Sequence, residues 1–121
     1  MITDNYIRMC EQAEEIQKLW KPKIGDWYVD FEGDVECVAL MGESIIEHHS
    51  KYDKWLPTQE QLQEMLFQGF DEYEHWIRKL YDFILDLPLS ELMSMNELWL
   101  AFVMKEKYDK TWTGEKWEVI K

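Results

Sequence analysis

The fold is decided by residues 26–41, DWYVDFEGDVECVALM, which have the pattern of two strands joined by a tight turn. Apolar and polar residues alternate over residues 27–31, as in a strand with one buried face. Residues 32–34, EGD, have turn composition, and a second strand is predicted over 35–41. This second strand is more continuously apolar, so we expect it to be the inner strand and the first to lie nearer the edge.

The segment from 43 to 56 has a weaker pattern. Ile45 and Ile46 predict a short third strand, and residues 48–54 have the composition of an exposed loop. We therefore expect a small antiparallel sheet within residues 26–46. A separate short hairpin is predicted near residues 111–119, where two tryptophans flank the turn sequence TGEK.

Two helices have clear signals at their ends. The first is predicted over residues 4–20, because Thr3 can cap it, apolar residues recur at three- and four-residue intervals, and Pro22 follows it. The other is predicted over residues 95–108. Residues 94–97, SMNE, match a capping box, in which Ser and Glu exchange hydrogen bonds with the backbone at the helix start.

Two more helices are predicted between these. Residues 58–61, TQEQ, form another capping box. The apolar stripe that follows is interrupted at Gly69 and ends at Pro88, which predicts two helices hinged near the glycine. The expected fold class is α+β, with about four helices packed on the small antiparallel sheet and a short C-terminal hairpin.

The composition is that of one folded domain with an acidic surface. The chain has 121 residues, of which 46% are hydrophobic, so residues 1–121 are expected to form a single domain. A net charge of −12 argues against direct nucleic-acid binding, and no apolar run has the ~20 residues of a membrane span. Cys10 and Cys37 match no paired spacing, which favours buried free thiols in a reducing cytosol, with a disulfide between them as the alternative.

Negative charge is clustered in and after the predicted hairpin. Seven acids and no Lys or Arg fall between residues 26 and 47. They are Asp26, Asp30, Glu32, Asp34, Glu36, Glu43 and Glu47. Such a cluster creates a field that steers a protein onto a basic partner surface, including one that normally binds phosphates. The alternative is a solvated face that serves only solubility.

Aromatic residues are abundant, with seven Trp, six Tyr and five Phe. Core packing is expected for Trp20, Trp76, Trp99 and Phe102. By contrast, five aromatic residues lie on predicted strands or loops, where an aromatic side chain can anchor a partner or stack on a base. They are Trp27, Tyr28, Trp55, Trp112 and Trp117. Burial in the core is the alternative for these five.

No pattern supports catalysis, a metal site or a bound cofactor. His48 and His49 are adjacent, so they point to opposite sides of an extended segment, and His75 has no second ligand at metal-binding spacing. Glu60 and Glu64 share a helix face that is expected to face solvent, where paired carboxylates do no acid and base work. We therefore predict that the protein is not an enzyme and holds no cofactor or metal.

Several stretches carry a resemblance to known sequences. They are residues 55–65 (WLPTQEQLQEM), 98–108 (LWLAFVMKEKY), 112–117 (WTGEKW), 9–17 (MCEQAEEIQ) and 23–27 (KIGDW). Together they resemble a family of small uncharacterised proteins encoded by phages and prophages of Gram-positive bacteria. That family commonly has Arg and Asp where this chain has Thr58 and Glu60, so no basic role is carried over to position 58.

The resemblance implies a setting rather than an activity. Small phage proteins without catalytic residues usually act by binding, which implies inhibition of a host component such as an antiviral defence protein. Our hypothesis is a non-catalytic accessory protein of the host cytosol that docks its acidic residues on the basic surface of a host protein, with Trp27, Tyr28 and Trp55 as anchors. The alternative is sequestration of a nucleotide-like signal in an aromatic pocket containing Arg or Lys, with an oligomer such as a homodimer enclosing the ligand.

Overall fold

We obtained a computed structural model of the chain, which describes residues 2–38, 53–67, 73–87 and 93–120. The helices in these residues are α1 (Asp4–Gln12), α2 (Glu14–Gln17), α3 (Gln59–Glu64), α4 (Tyr73–Asp86) and α5 (Met95–Tyr108). The strands are β1 (Trp27–Val29), β2 (Val35–Cys37), β3 (Lys54–Leu56), β4 (Lys110–Trp112) and β5 (Trp117–Val119). The described residues therefore have the predicted α+β class, with one three-stranded and one two-stranded antiparallel sheet.

The three-stranded sheet has the order β2–β1–β3. The predicted hairpin is confirmed as β1 and β2, with Tyr28 opposite Glu36. The predicted strand order is wrong, because β1 pairs on both sides while all three residues of β2 are exposed. The strand on the other side of β1 is β3, which begins at the end of the predicted loop. The strand predicted at Ile45 and Ile46 lies outside the described residues.

The predicted N-terminal helix is not continuous, because Ala13, with φ −86° and ψ 75°, separates α1 from α2. Thr3 caps α1 as predicted and accepts a hydrogen bond from a backbone N–H of the first turn. The side-chain amide of Gln17 explains the break. It donates to the carbonyl oxygens of Cys10 and Trp55, both at 2.9 Å, and accepts from the Trp55 backbone N–H at 2.7 Å. Gln17 thereby ties the end of α1 to the outer edge of β3.

Helix α5 lies at the centre of the core, and its bounds are those predicted. Its residues from Trp99 to Met104 are all buried, and it contacts α1, α3 and β4. Over these residues α5 is buried on all sides, as is typical of a central helix, whereas a surface helix is amphipathic. Buried apolar residues from the other elements and from the loops complete the core: Tyr6, Met9, Cys10, Ala13, Ile16, Val29, Val38, Trp55, Leu56, Leu62, Leu66 and Leu80.

Both predicted capping residues are in place, but the second capping box is half formed. The Thr58 hydroxyl accepts from the Gln61 backbone N–H, and Gln61 Oε1 accepts from the Thr58 N–H at 2.9 Å. Ser94 Oγ accepts from the Glu97 backbone N–H at 3.2 Å. The buried Glu97 carboxylate instead accepts from the capping threonine of α1 and from the Asn5 side chain at 3.1 Å. Glu97 therefore joins the starts of α1 and α5.

The predicted C-terminal hairpin is confirmed as β4 and β5, with Trp112 opposite Trp117. Asp109 ends α5 in the left-handed conformation, with φ 54°, and turns the chain into β4. The Trp117 Nε1–H donates to the Met9 carbonyl oxygen at 2.9 Å. This hydrogen bond holds the hairpin against α1.

The two cysteines are free thiols, as predicted. Cys10 is buried in α1, and burial raises the pKa of its thiol well above the usual value. Cys37 is exposed at the end of β2, so the expectation that both thiols are buried is wrong for this residue. The protonated Cys10 side chain acts as a small apolar group of the core.

Candidate functional site

The β1–β2 hairpin ends in a turn that is organised by Asp30. Its Oδ1 accepts hydrogen bonds from the backbone N–H groups of Glu32 and Asp34, both at 2.9 Å. Gly33 takes φ 89°, a left-handed conformation that favours glycine in such a turn. The Asp30 carboxylate is thus used to hold the tip, whereas the carboxylates of Glu32 and Asp34 face solvent.

Phe31 projects from this tip with an exposed fraction of 72%. Sequence reasoning placed it on the same side of the strand as Trp27 and Val29, and so missed its exposure. Its exposure follows from its position beyond Val29, the last residue of β1 that pairs across the hairpin. An apolar ring therefore stands in solvent between the acidic residues Asp30 and Glu32.

Tyr28 and Glu36 form a hydrogen-bonded pair across the hairpin. The Tyr28 hydroxyl donates to Glu36 Oε2 at 2.9 Å. Burial, together with the hydrogen bond and the charge of Glu36, raises the pKa of Tyr28 to about 12. Tyr28 therefore stays a neutral donor at physiological pH, and it holds Glu36 in a defined orientation.

The structure separates the predicted partner-binding residues into two groups. The hairpin carries Trp27, Tyr28, Asp30, Glu32, Asp34 and Glu36. Trp27 is 40% exposed, so part of its ring is accessible beside the acids. Asp26 and Trp55 are 5% and 7% exposed, so neither presents a free side chain next to them. Glu43 and Glu47 lie outside the described residues.

The buried Asp26 carboxylate is the centre of a hydrogen-bond network. Its Oδ2 accepts from Trp20 Nε1 at 3.1 Å and from the Lys23 backbone N–H at 2.9 Å. Its Oδ1 accepts from Gln61 Nε2 at 2.9 Å. Because the same Gln61 amide completes the cap of α3, Asp26 connects that cap with the loop before β1. Its role is structural, and sequence spacing could not show this because Gln61 is distant in the chain.

A groove of about 290 Å³ opens beside this network. Its lining residues are Leu19, Trp20, Lys21, Lys23, Asp26, Trp55, Gln61, Glu64 and Met65. The Trp20 and Trp55 rings are parallel, with centroids 6.4 Å apart and an interplanar angle of 3°. The buried Trp55 Nε1–H has no hydrogen-bond acceptor among the described residues. The sequence prediction had assigned Trp20 to core packing and did not connect it with the exposed Lys21 and Lys23.

A second cavity of about 350 Å³ lies where the hairpin meets the starts of α3 and α5. It is lined by Ile2, Trp27, Leu56, Pro57, Thr58 and Asn96. None of these side chains is charged, and few are polar. The cavity therefore offers apolar contact next to Trp27 but little that would orient a charged ligand.

The described residues contain no group of three or more His, Cys, Asp or Glu that could hold a metal ion. Among the same residues, no helix combines the length and apolar character needed to cross a membrane. Comparison with protein-family models, curated proteins and solved structures finds no significant match to the chain.

Proposed function

We propose that the chain is a non-catalytic accessory protein of a phage or prophage that binds and inhibits a host protein through its acidic hairpin, residues 27–37. The observation that carries the proposal is Phe31, 72% exposed on a turn whose flanking side chains are acidic. Solvent exposure of a whole phenylalanine ring is unfavourable in the free protein, and it becomes favourable when a partner pocket covers the ring.

The surrounding charges define the chemistry of the partner. No Lys or Arg lies in residues 27–37, while Glu32, Asp34 and Glu36 are exposed. These carboxylates would steer the hairpin onto a basic surface, and such a surface on a host protein includes sites built for phosphates. Host proteins of antiviral defence that act on nucleic acids have surfaces of this kind, so they are the class of target we propose, in the host cytosol.

The proposal predicts a binding loss from changes at the hairpin tip. A host protein retained from a Gram-positive lysate at low salt should dissociate at ~0.5 M salt, since screening weakens surface electrostatics. With that protein purified, Phe31→Ala should weaken the affinity ~30-fold by removal of the anchor. The pair Glu32→Gln and Asp34→Asn should weaken it ~10-fold and reduce its salt dependence. Isothermal titration calorimetry measures both effects.

The matched control removes the same charge elsewhere. Glu11 and Glu14 are exposed on α1 and α2, so Glu11→Gln with Glu14→Gln reduces the net negative charge by the same amount without touching the hairpin. This control should change the affinity less than 3-fold, because salt screens charges that lie outside the interface. An equal loss in the control, or full binding by Phe31→Ala, would reject the hairpin as the docking site.

A second candidate function is supported by the groove with Trp20, Trp55, Lys21 and Lys23. Aromatic walls and cations are the groups that hold a base and its phosphates. The groove volume of about 290 Å³ is near the small end for ligand sites, so a nucleotide-like molecule would be only partly enclosed by one chain. This candidate would make the protein a sequestering agent for a small signal.

The groove candidate predicts direct nucleotide binding. Titration with adenosine and guanosine mono- and diphosphates should show micromolar binding by calorimetry. The double variant Lys21→Ala and Lys23→Ala should weaken it at least 10-fold, through loss of two phosphate contacts. Lys116→Ala, an exposed lysine of the C-terminal hairpin, is the control and should bind as the parent does. Absence of heat with all of these nucleotides would eliminate this candidate.

A further inference from the structure

Helix α4 exposes an apolar face to solvent. Five of its large apolar side chains are between 43% and 64% exposed. They are Tyr73, Ile77, Tyr81, Ile84 and Leu85. Their spacing of three, four and eight residues places them along one side of the helix. A surface helix normally turns polar residues to this side, so the face has the character of a contact surface.

The same helix is attached to the core by a different side. Leu80 is buried, and Trp76 and Phe83 pack on the core, with ring centroids 6.2 Å and 5.5 Å from that of Phe102 on α5. The mean direction of residues 76, 80 and 83 is about a third of a turn from that of the exposed set, and Leu80 lies at the border between the two. Tyr73 also contacts its own chain, because its ring packs edge-on against that of Phe67 with centroids 4.8 Å apart. The rest of the exposed face is not the side that holds α4 to its own chain, and it is accessible to another molecule.

We propose that this face is the contact of a homodimer in which α4 of two copies pack antiparallel. A two-fold axis midway between the levels of Leu80 and Tyr81 places Ile77 of one copy against Ile84 of the other and the two Tyr81 rings next to each other. Arg78 pairs with Glu74 of its own helix at 2.6 Å, and the same register also brings it near Asp82 of the second copy, a contact that the two-fold repeats. Opposite charges thus meet beside an apolar seam on both sides of the axis.

Charge and area both favour a second copy as the occupant. The molecule carries a net charge of −12, yet α4 has three acids against two bases, so like-charge repulsion is small where the helices would meet. The five side chains expose on the order of 500 Å² per chain, so the dimer would bury roughly 1,000 Å², which is the lower limit of specific interfaces. An interface at this lower limit is typical of weak association, so we expect a dimer that forms only at high protein concentration.

Sedimentation velocity over a concentration range tests the proposal. The parent chain should change from monomer to dimer between about 1 and 300 µM. Ile77→Asp should stay monomeric at ~300 µM, because it buries a charge in the seam. Ile24→Asp is the matched control, since Ile24 is also an exposed isoleucine but lies in the loop before β1. It should dimerise like the parent, and circular dichroism should show the same helix content for all three.

Charge reversal tests the antiparallel register without altering the apolar seam. Arg78→Glu places like charges together and should weaken the dimer ~10-fold, and Asp82→Lys should do the same. The double variant restores opposite charges and should recover the parent affinity within ~3-fold. A parent chain that stays monomeric at ~300 µM, a dimer that survives Ile77→Asp, or a double variant no better than the single ones would overturn the proposal.

The dimer stands independently of the proposed function. Phe31→Ala, the hairpin variant, should leave the monomer–dimer equilibrium unchanged. Failure of the hairpin binding experiment therefore leaves the dimer intact, and a monomeric Ile77→Asp variant can still be tested for partner binding.

Discussion

Replacing Asp26 with alanine is expected to lower the free energy of unfolding by about 3 kcal/mol, because three hydrogen bonds to one buried carboxylate are lost together. The donors left behind are Trp20 Nε1, the Lys23 backbone N–H and Gln61 Nε2. The Gln61 amide also accepts from the Thr58 N–H, so the cap of α3 weakens with it. Urea unfolding followed by far-UV circular dichroism measures the loss.

Two variants separate this network from a general effect of acidic residues. Asp26→Asn keeps one acceptor oxygen but turns an amide toward donors, so we expect it to lose about 1–2 kcal/mol, less than alanine does. Asp34→Ala removes an exposed carboxylate at the hairpin tip and should stay within ~0.5 kcal/mol of the parent. Equal stability of Asp26→Ala and Asp34→Ala would show that the hydrogen bonds of Asp26 do not stabilise the fold.

Replacing Phe102 with alanine should cost about 4 kcal/mol, the largest effect that we predict for a single residue. Its side chain is fully buried on α5, and it contacts the rings of Trp76 and Phe83 from α4 and of Trp99 one turn earlier. Removal of this ring leaves a cavity and also takes away the packing that attaches α4. Thermal unfolding should show a midpoint lowered by roughly 15 °C.

The same substitution at an exposed phenylalanine is the control. Phe31→Ala at the hairpin tip should change the free energy of unfolding by less than ~0.5 kcal/mol, since the ring gains little from folding. Phe102→Leu keeps most of the volume and should lose only about 1–2 kcal/mol. If Phe102→Ala were as stable as Phe31→Ala, the ring cluster between α4 and α5 would not be part of the core.

The helices could be predicted well from the sequence because their determinants are local. The cap of α3 at Thr58 and the bounds of α5 agree with prediction, since capping residues and apolar spacing lie within a few positions of the element that they define. The break at Ala13 could not be predicted in this way. It depends on Gln17 reaching Trp55, 38 residues away in the chain.

The order of the strands in the sheet, by contrast, could not be predicted from local sequence. Strand β3 has only three residues, so alternation cannot distinguish it from a loop, and it forms because it pairs with β1. The central position of β1 follows from this pairing, whereas continuous apolar character had favoured the second strand. Strand order is a long-range property, and the composition of one segment does not determine it.

The candidate site could be predicted in part. Glu32, Asp34 and Glu36 of the hairpin are exposed, as their charge indicates, because burial of unpaired carboxylates is costly, whereas Asp30 is half-buried and hydrogen-bonded in the turn. The exposure of Phe31 and the burial of Asp26 could not be predicted from residue type, since an aromatic ring is usually buried and an acid usually exposed. The exposure of Phe31 depends on the turn at Gly33. The burial of Asp26 depends on a hydrogen-bond donor, Gln61, that is distant in the chain.

The hydrogen bonds of Gln17 also affect how molecules of this protein meet each other. An open strand edge presents backbone N–H and C=O groups on which strands of other molecules can add, and this is how many sheets begin to aggregate. At Trp55 these groups are already occupied by the Gln17 amide, which takes the place of a neighbouring strand. One glutamine side chain thus protects the β3 edge of the sheet, though not the exposed β2 edge, from strand addition, and the interrupted helix is the structural cost of that protection.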